Sequence, residues 1–92
     1  MDINKAFGKA LKAFRLANGL TQEDFAEVSS RTYISSLERG LKSPTIEKVN
    51  EIAGDMGICP LSLMILTYAY FNEVDTMHVI KKAESQLKNT YY

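Results

Sequence analysis

The segment SSRTYISSLERG, residues 29–40, combines small hydroxyl side chains with an arginine at helical spacing. Ile34 and Leu37 fall on one side of such a helix, and Arg31 with the hydroxyl residues falls on another. Hydroxyls donate and accept hydrogen bonds, and arginine can hold guanine through two parallel bonds. Small or hydrogen-bonding side chains let a helix approach the floor of the DNA major groove closely. The segment therefore predicts a helix with an apolar anchor and a base-reading face.

The sequence contains no comparable pattern of catalytic or metal-binding residues. The chain has one cysteine, Cys59, and one histidine, His78. A single thiol and a single imidazole far apart in sequence form neither a zinc site nor a nucleophile–base pair, and one cysteine forms no intrachain disulfide. We therefore expect a protein that is not an enzyme, with no catalytic residue, no metal, no cofactor and no small-molecule ligand.

The composition is that of one globular domain. The 92 residues are 46% hydrophobic and 24% charged, which argues against disorder. The N-terminal residues lack the apolar run of a signal peptide, and the most apolar stretch, residues 59–71, is too short to span a bilayer as a helix. These features predict a cytoplasmic protein without a membrane partner.

Charge is distributed unevenly although the formal net charge is zero. Residues 1–43 contain seven basic and five acidic side chains, and residues 44–92 contain four basic and six acidic side chains. The half that contains the arginine-bearing segment is therefore the more basic half, and its positive charge favours contact with a polyanionic partner.

Helical periodicity dominates the chain, and no alternating strand pattern persists. The expected helices are separated by Asn18-Gly19, by Ser29-Ser30, by Gly40 and by Gly57. Ser43 is expected to cap the fourth helix, with Pro44 at its first helical position. The six predicted helices cover residues 3–17, 21–28, 31–39, 44–56, 60–72 and 75–90. The fold class is all-α.

The stretch LTQEDFAEVSSRTYISSLERGLKSPTIEKVNEIA resembles the DNA-binding domain of the xenobiotic-response-element (XRE) family of helix-turn-helix regulators. This family includes phage repressors and restriction–modification controller proteins. The matching pieces are LTQE, Phe25-Ala26, RTYIS, ERG and SPT, and the resemblance covers about residues 3–66. It implies a lambda-repressor-like five-helix DNA-binding domain, here residues 1–72, followed by an additional C-terminal helix in residues 73–92.

The resemblance also implies roles for individual residues. The helix over 31–39 would be the recognition helix, with Arg31, Thr32 and Ser36 at base-reading positions and Ser35 close by. An ion pair between Arg15 and Glu38 would join the first helix to the recognition helix. Gln22 and the loop after the recognition helix would lie against phosphates. Ser30 and Tyr33 are also expected to contact phosphates. The full set of expected phosphate contacts is Gln22, Ser30, Tyr33, Arg39, Lys42 and Ser43.

One departure from the family pattern concerns the turn before the recognition helix. Between the alanine of the second helix and Arg31, the sequence AEVSSR is about two residues shorter than usual and lacks a glycine. We expect this shortened turn to alter the orientation of the recognition helix and so the set of residues that reach the bases.

The last two predicted helices carry more apolar surface than a five-helix domain usually covers. They either pack on each other or form the interface of a homodimer that binds a palindromic operator in double-stranded DNA, and we favour the homodimer. The alternative function is a protein-interaction module, such as an antitoxin or adaptor, that holds a partner through these helices. The expected interface residues are Leu63, Leu66, Tyr70, Met77, Ile80 and Leu87.

Overall fold

The computed structural model describes residues 1–25 and 30–90. These residues form five α-helices and one short 3-10 helix, and they contain no strand. The helices are α1 (Ile3–Ala17), the 3-10 helix (Gln22–Phe25), α2 (Arg31–Glu38), α3 (Ile46–Asp55), α4 (Pro60–Asn72) and α5 (Thr76–Lys88). The all-α prediction is confirmed.

The observed helix boundaries follow the predicted ones closely at α1 and α4. The second predicted helix, 21–28, begins as the 3-10 helix, in which the Asp24 carboxylate accepts a hydrogen bond from the Thr21 N–H at 2.7 Å. Its remaining part and most of the shortened turn fall on residues 26–29, which lie outside the described residues. The helix predicted over 31–39 as the recognition helix is present as α2.

The start of α3 differs from the prediction. Thr45, not Ser43, is the N-cap: its hydroxyl oxygen accepts a hydrogen bond from the Lys48 N–H at 3.1 Å. Two hydroxyl residues that flank Pro44 compete for this role, and the one adjacent to the helix reaches the free amide of the first turn. Pro44 consequently lies in the loop before the helix instead of at its first position.

The core lies where α1, α2, α3 and α4 meet. α1 packs against α4 and against α2, and α4 also packs against α3 and α5. Phe25 of the 3-10 helix lies in the same core and has no exposed surface. The other fully buried large hydrophobic side chains are Leu11, Ile34, Leu37, Ile52 and Leu63.

α5 differs from the other helices because none of its residues is buried. It begins at Asp75, whose carboxylate accepts a hydrogen bond from the His78 N–H at 2.8 Å, and it contacts the domain through α4. The junction before it is formed by Glu73, a non-glycine residue with a φ of 54°. The left-handed region is costly for a side chain, so this junction is strained.

In the part of the chain that is described, no single helix has the length and apolar character to cross a membrane. α3 and α4 pass this test only as a pair, bent by 110° at the break between them.

Candidate nucleic-acid interface

The apolar side of α2 is anchored in the core, and its polar side is accessible. Ile34 and Leu37 have no exposed surface. The helix is capped by Ser30, whose hydroxyl oxygen accepts a hydrogen bond from the Tyr33 N–H at 3.1 Å. On the opposite side, Thr32 is exposed, and Ser35 and Ser36 are half-buried. A hydroxyl-lined face therefore points away from the core, as base readout in the major groove requires.

Arg31, the first residue of α2, is accessible and already has a charged partner. Its Nε lies 2.9 Å from Oε1 of Glu23 in the 3-10 helix. The side chains are 66% and 63% exposed, so solvent screens the pair and it contributes little to stability. The sequence predicts that Arg31 reads bases but does not reveal its contact with Glu23, because no spacing rule connects two helices across a turn of unknown shape.

A buried ion pair fixes the C-terminal end of α2 to α1. Arg15 donates through Nε to Glu38 Oε2 at 2.6 Å and through Nη2 to Glu38 Oε1 at 2.9 Å. The two side chains are only 9% and 4% exposed. The hydrogen bonds to Glu38 raise the pKa of Arg15 above its ordinary value; burial opposes the rise, and the charges of Glu38 and Glu23 add to it. The pair implied by the family resemblance is thus present.

The same arginine reaches the turn after α1, and Gln22 joins the network. Arg15 Nη1 donates to the Leu20 carbonyl at 2.9 Å. The half-buried Gln22 donates through Nε2 to Glu38 Oε1 at 3.3 Å. A side-chain amide has two N–H donors, so Gln22 can hold Glu38 with one and approach a phosphate with the other. This link ties the start of the 3-10 helix to the end of α2.

Two glycines let α1 and α2 approach closely. A Cβ at Gly8 in α1 would lie 2.3 Å from the Leu37 carbonyl oxygen and 2.6 Å from that of Glu38. At the end of α2, Gly40 has a φ of 73°, and a Cβ there would lie 2.5 Å from Cγ of Lys5. Only glycine fits at such contacts. Backbone packing and the ion pair therefore together set the orientation of α2 relative to α1.

The loop from α2 to α3 brings together several of the expected phosphate contacts. Arg39 is exposed and is the C-cap of α2, with helical dihedral angles, so it continues the outer face of the helix. The Lys42 ammonium group lies 5.5 Å from the centre of the Tyr33 ring, a cation–π distance. Ser43 is exposed in the same loop. These groups form a basic, hydroxyl-bearing edge beside α2.

The residues expected at a dimer interface divide into three kinds. Leu63 is fully buried in the core of the single chain, so its assignment to an interface is wrong. α4 lies against α1, and this packing turns Leu63 inward. Leu66 and Tyr70 are half-buried against the core, and Lys9 Nζ lies 4.3 Å from the centre of the Tyr70 ring.

The remaining interface candidates are exposed apolar side chains of α5. We group them with two exposed aromatic residues of α4, whose rings meet edge to face at 6.4 Å, and call this set the C-terminal surface. Its members are Tyr68, Phe71, Met77, Ile80 and Leu87.

A second apolar surface is not apparent from the sequence. A groove of about 750 Å³ runs between α1, α3 and α4 and is lined by Ile3, Phe7, Ile46, Leu61 and Met64, among others. Ile46, which the periodicity assigns to the apolar stripe of its helix, is 91% exposed because it is the first residue of α3 and points away from the core. Periodicity alone does not distinguish a stripe that is fully covered from one that extends past the edge of the core.

The chain is similar to known helix-turn-helix proteins. The sequence model of the helix-turn-helix family HTH_3 matches residues 11–63. An HTH-type transcriptional regulator of Sinorhizobium fredii, y4dJ, is 38% identical over 69 residues, which are 73% of this chain and 90% of that protein. The control protein C.BamHI of Bacillus amyloliquefaciens is 30% identical over 69 residues, which are 72% of this chain and 85% of that protein.

Solved structures agree with the sequence relatives. A crystal structure of the clp gene regulator ClgR from Corynebacterium glutamicum is similar to this chain, with a TM-score of 0.74 and 25% sequence identity. The aligned region covers 97% of this chain and 89% of the ClgR chain. Another ClgR structure has a TM-score of 0.72 and 29% identity, and it covers 76% of this chain and 94% of that chain.

Proposed function

The chain belongs to the XRE-type helix-turn-helix family of DNA-binding transcriptional regulators, and on this premise we propose that it binds a palindromic operator as a homodimer with α2 in the major groove. The observation that carries the proposal is the orientation of α2. Its apolar residues Ile34 and Leu37 are fully buried, and its arginine and hydroxyls remain accessible.

In this proposal the polar side chains divide into base-reading and phosphate-binding groups. Arg31 grips a guanine, and Thr32, Ser35 and Ser36 contact neighbouring base edges. The expected phosphate contacts fix the register of the protein on the duplex without reading sequence. They are Gln22, Ser30, Tyr33, Arg39, Lys42 and Ser43.

Arg31→Ala tests the base-reading role. We expect it to weaken binding to the selected operator by about 1–3 kcal/mol and to relax preference at one base position. The measurement is selection of bound sequences from a random DNA pool, followed by titration at one fixed salt concentration. Equal weakening on every sequence would remove Arg31 from the base-reading set.

Lys42→Ala is the matched control, because it also removes one cation beside α2. It should weaken binding on all sequences alike and reduce the slope of affinity against salt concentration by about one unit, as the loss of one phosphate contact does. A change of base preference in this variant would contradict the division into two groups.

The homodimer is proposed to form through the C-terminal surface. One helix-turn-helix unit reads few base pairs, and a two-fold pair spaced about 34 Å doubles the contacts. The exposed apolar side chains of α5 support this surface, since the single chain buries none of them. The groove that contains Ile46 is the competing surface.

Sedimentation of two charge-introducing variants tests the interface. Ile80→Glu should produce monomers at concentrations where the wild-type chain is dimeric, and Ile46→Glu, on the groove, should leave the dimer intact. The reverse result would move the interface to the groove. A wild-type chain that remains monomeric and fails to retard DNA would favour the protein-interaction module instead.

A further inference from the structure

Glu23 is placed to act on the proposed base-reading arginine. It lies in the 3-10 helix, and its Oε1 is 2.9 Å from Nε of Arg31 at the start of α2. The contact therefore joins the two helical segments on either side of residues 26–29. Glu23 also lies close enough to the buried ion pair to contribute to the raised pKa of Arg15. The contact with Arg31 lies beside the surface that carries the expected DNA contacts.

The electrostatic environment of Arg31 explains why a carboxylate is needed there. The N-terminal end of a helix carries a partial positive charge, which disfavours a cation in its first turn. The first turn of α2 contains no acidic residue. Glu23 supplies the missing negative charge from the neighbouring helix and holds the guanidinium near the position where the backbone places it.

The geometry of the contact leaves Arg31 able to bind DNA. A guanidinium presents a side edge, formed by Nε and one terminal nitrogen, and an end edge, formed by both terminal nitrogens. Glu23 approaches at Nε. The end edge remains suited to the O6 and N7 acceptors of guanine. A carboxylate in this position restricts the rotation of a long side chain and so presets its direction.

The same carboxylate acts against non-specific binding. An arginine that meets no guanine can instead neutralise a phosphate, which strengthens binding to any sequence. With Glu23 beside it, Arg31 already has a counter-charge, and the carboxylate repels nearby phosphates. Because both side chains are about two-thirds exposed, the ion pair changes an equilibrium constant only a few-fold. Contact with guanine can therefore coexist with it.

We infer that Glu23 is a specificity-determining positioning residue, which directs Arg31 towards guanine and lowers the affinity for DNA without the operator sequence. This inference rests on the proposed function, in which Arg31 reads a base.

Glu23→Gln tests the inference, since it removes the charge and preserves the shape of the side chain. We expect non-specific affinity to rise, the salt slope to steepen by about one unit because Arg31 can then neutralise a phosphate, and the ratio of operator to non-specific affinity to fall roughly fivefold. The measurements are titrations of operator and scrambled duplexes over a range of salt concentrations, with thermal unfolding to verify that both proteins are folded.

Glu51→Gln is the matched control. It makes the same charge change and breaks another surface ion pair, between Glu51 Oε2 and Lys48 Nζ at 3.1 Å, on α3. This variant should leave the affinity ratio unchanged. If it lowers the ratio as much as Glu23→Gln does, the effect is one of net charge and the inference is wrong.

The Arg31→Ala background separates this inference from the proposed function. If Arg31→Ala changes base preference and Glu23→Gln then has no further effect on specificity, the two residues act together as inferred. If Glu23→Gln changes specificity equally with and without Arg31, or not at all in the wild-type chain, the positioning role is wrong and the base-reading role remains. If Arg31→Ala itself leaves base preference unchanged, the proposed function fails and the inference fails with it.

Discussion

The regions around α2 and α5 are stabilised in different ways. Around α2, polar groups are paired within the single chain: Arg15 binds Glu38 and the Leu20 carbonyl, and Gln22 binds Glu38. In α5, no residue is buried, and apolar side chains such as Leu87 remain exposed. The contacts that orient α2 are therefore complete within one chain, whereas α5 has apolar surface that a second chain could cover.

This difference separates orientation from assembly. The direction of α2 depends on short-range contacts whose geometry is restricted, namely a bidentate ion pair and glycine-mediated backbone packing. The C-terminal surface depends on apolar area, which tolerates many arrangements. Substitutions near α2 should consequently change the free energy of unfolding of the single chain, and substitutions on α5 should change association.

The largest expected effect comes from Arg15→Met. This variant leaves the Glu38 carboxylate, only 4% exposed, without its charged partner. Loss of one partner of a buried pair lowers the free energy of unfolding by about 3–5 kcal/mol. We expect a value near the lower limit, because both side chains keep a small exposed fraction. Urea unfolding, with the protein concentration held low to avoid association, measures it.

Two further variants determine whether the contrast holds. Arg15→Met combined with Glu38→Leu should recover most of the loss, because no buried charge remains. Leu87→Ala on α5 should change the unfolding free energy by less than about 0.5 kcal/mol, as exposed substitutions do. Equal destabilisation by Leu87→Ala and Arg15→Met would show that α5 is as firmly integrated as α2.

Gly8→Ala should have an intermediate effect. The added methyl group would meet the carbonyl oxygens of Leu37 and Glu38 at distances that no real contact shows, and backbone atoms cannot move aside as a side chain can. Overpacking of this kind costs about 1–3 kcal/mol. The same variant should also weaken operator binding, because α1 and α2 must separate and the recognition helix must tilt.

The matched control is Gly54→Ala in α3, where a Cβ would meet nothing within 4 Å. Alanine in a helix interior is favoured over glycine by about 0.5–1 kcal/mol, so this variant should be stabilised. If the same substitution lowers the free energy of unfolding at Gly8 and raises it at Gly54, the effect at Gly8 results from close packing. A neutral Gly8→Ala would show that the approach of α1 to α2 is not restrictive.

The predictability of these regions from sequence follows from the range of the interactions involved. The α1 and α4 boundaries, and the burial of Ile34 and Leu37, are encoded by local periodicity and stop signals. The Arg15–Glu38 pair was accessible only through the family resemblance, since 23 positions separate its partners. The exposure of Ile46 and the burial of Leu63 depend on how whole helices pack, which no local pattern specifies. The Glu23–Arg31 contact depends on the path of the chain between its helices.

The smallest expected effect comes from Glu73→Gly, at the junction between α4 and α5. The preceding helices end at glycines with positive φ (Gly19, Gly40 and Gly57), whereas α4 ends at Glu73 with a φ of 54°. Glycine should relieve this strain and stabilise the folded chain by about 0.5–1 kcal/mol, after allowing for its greater freedom in the unfolded state. Because α5 is held by α4 alone among its major contacts, the relief should appear as slower hydrogen exchange of the α5 amides. Glu73→Ala keeps the side-chain strain and should leave that exchange unchanged. Faster α5 exchange in Glu73→Gly would mean that the rigidity of residue 73, and not contact with α4, keeps α5 in place. The regions around α2 and α5 would then be alike in depending on local backbone geometry.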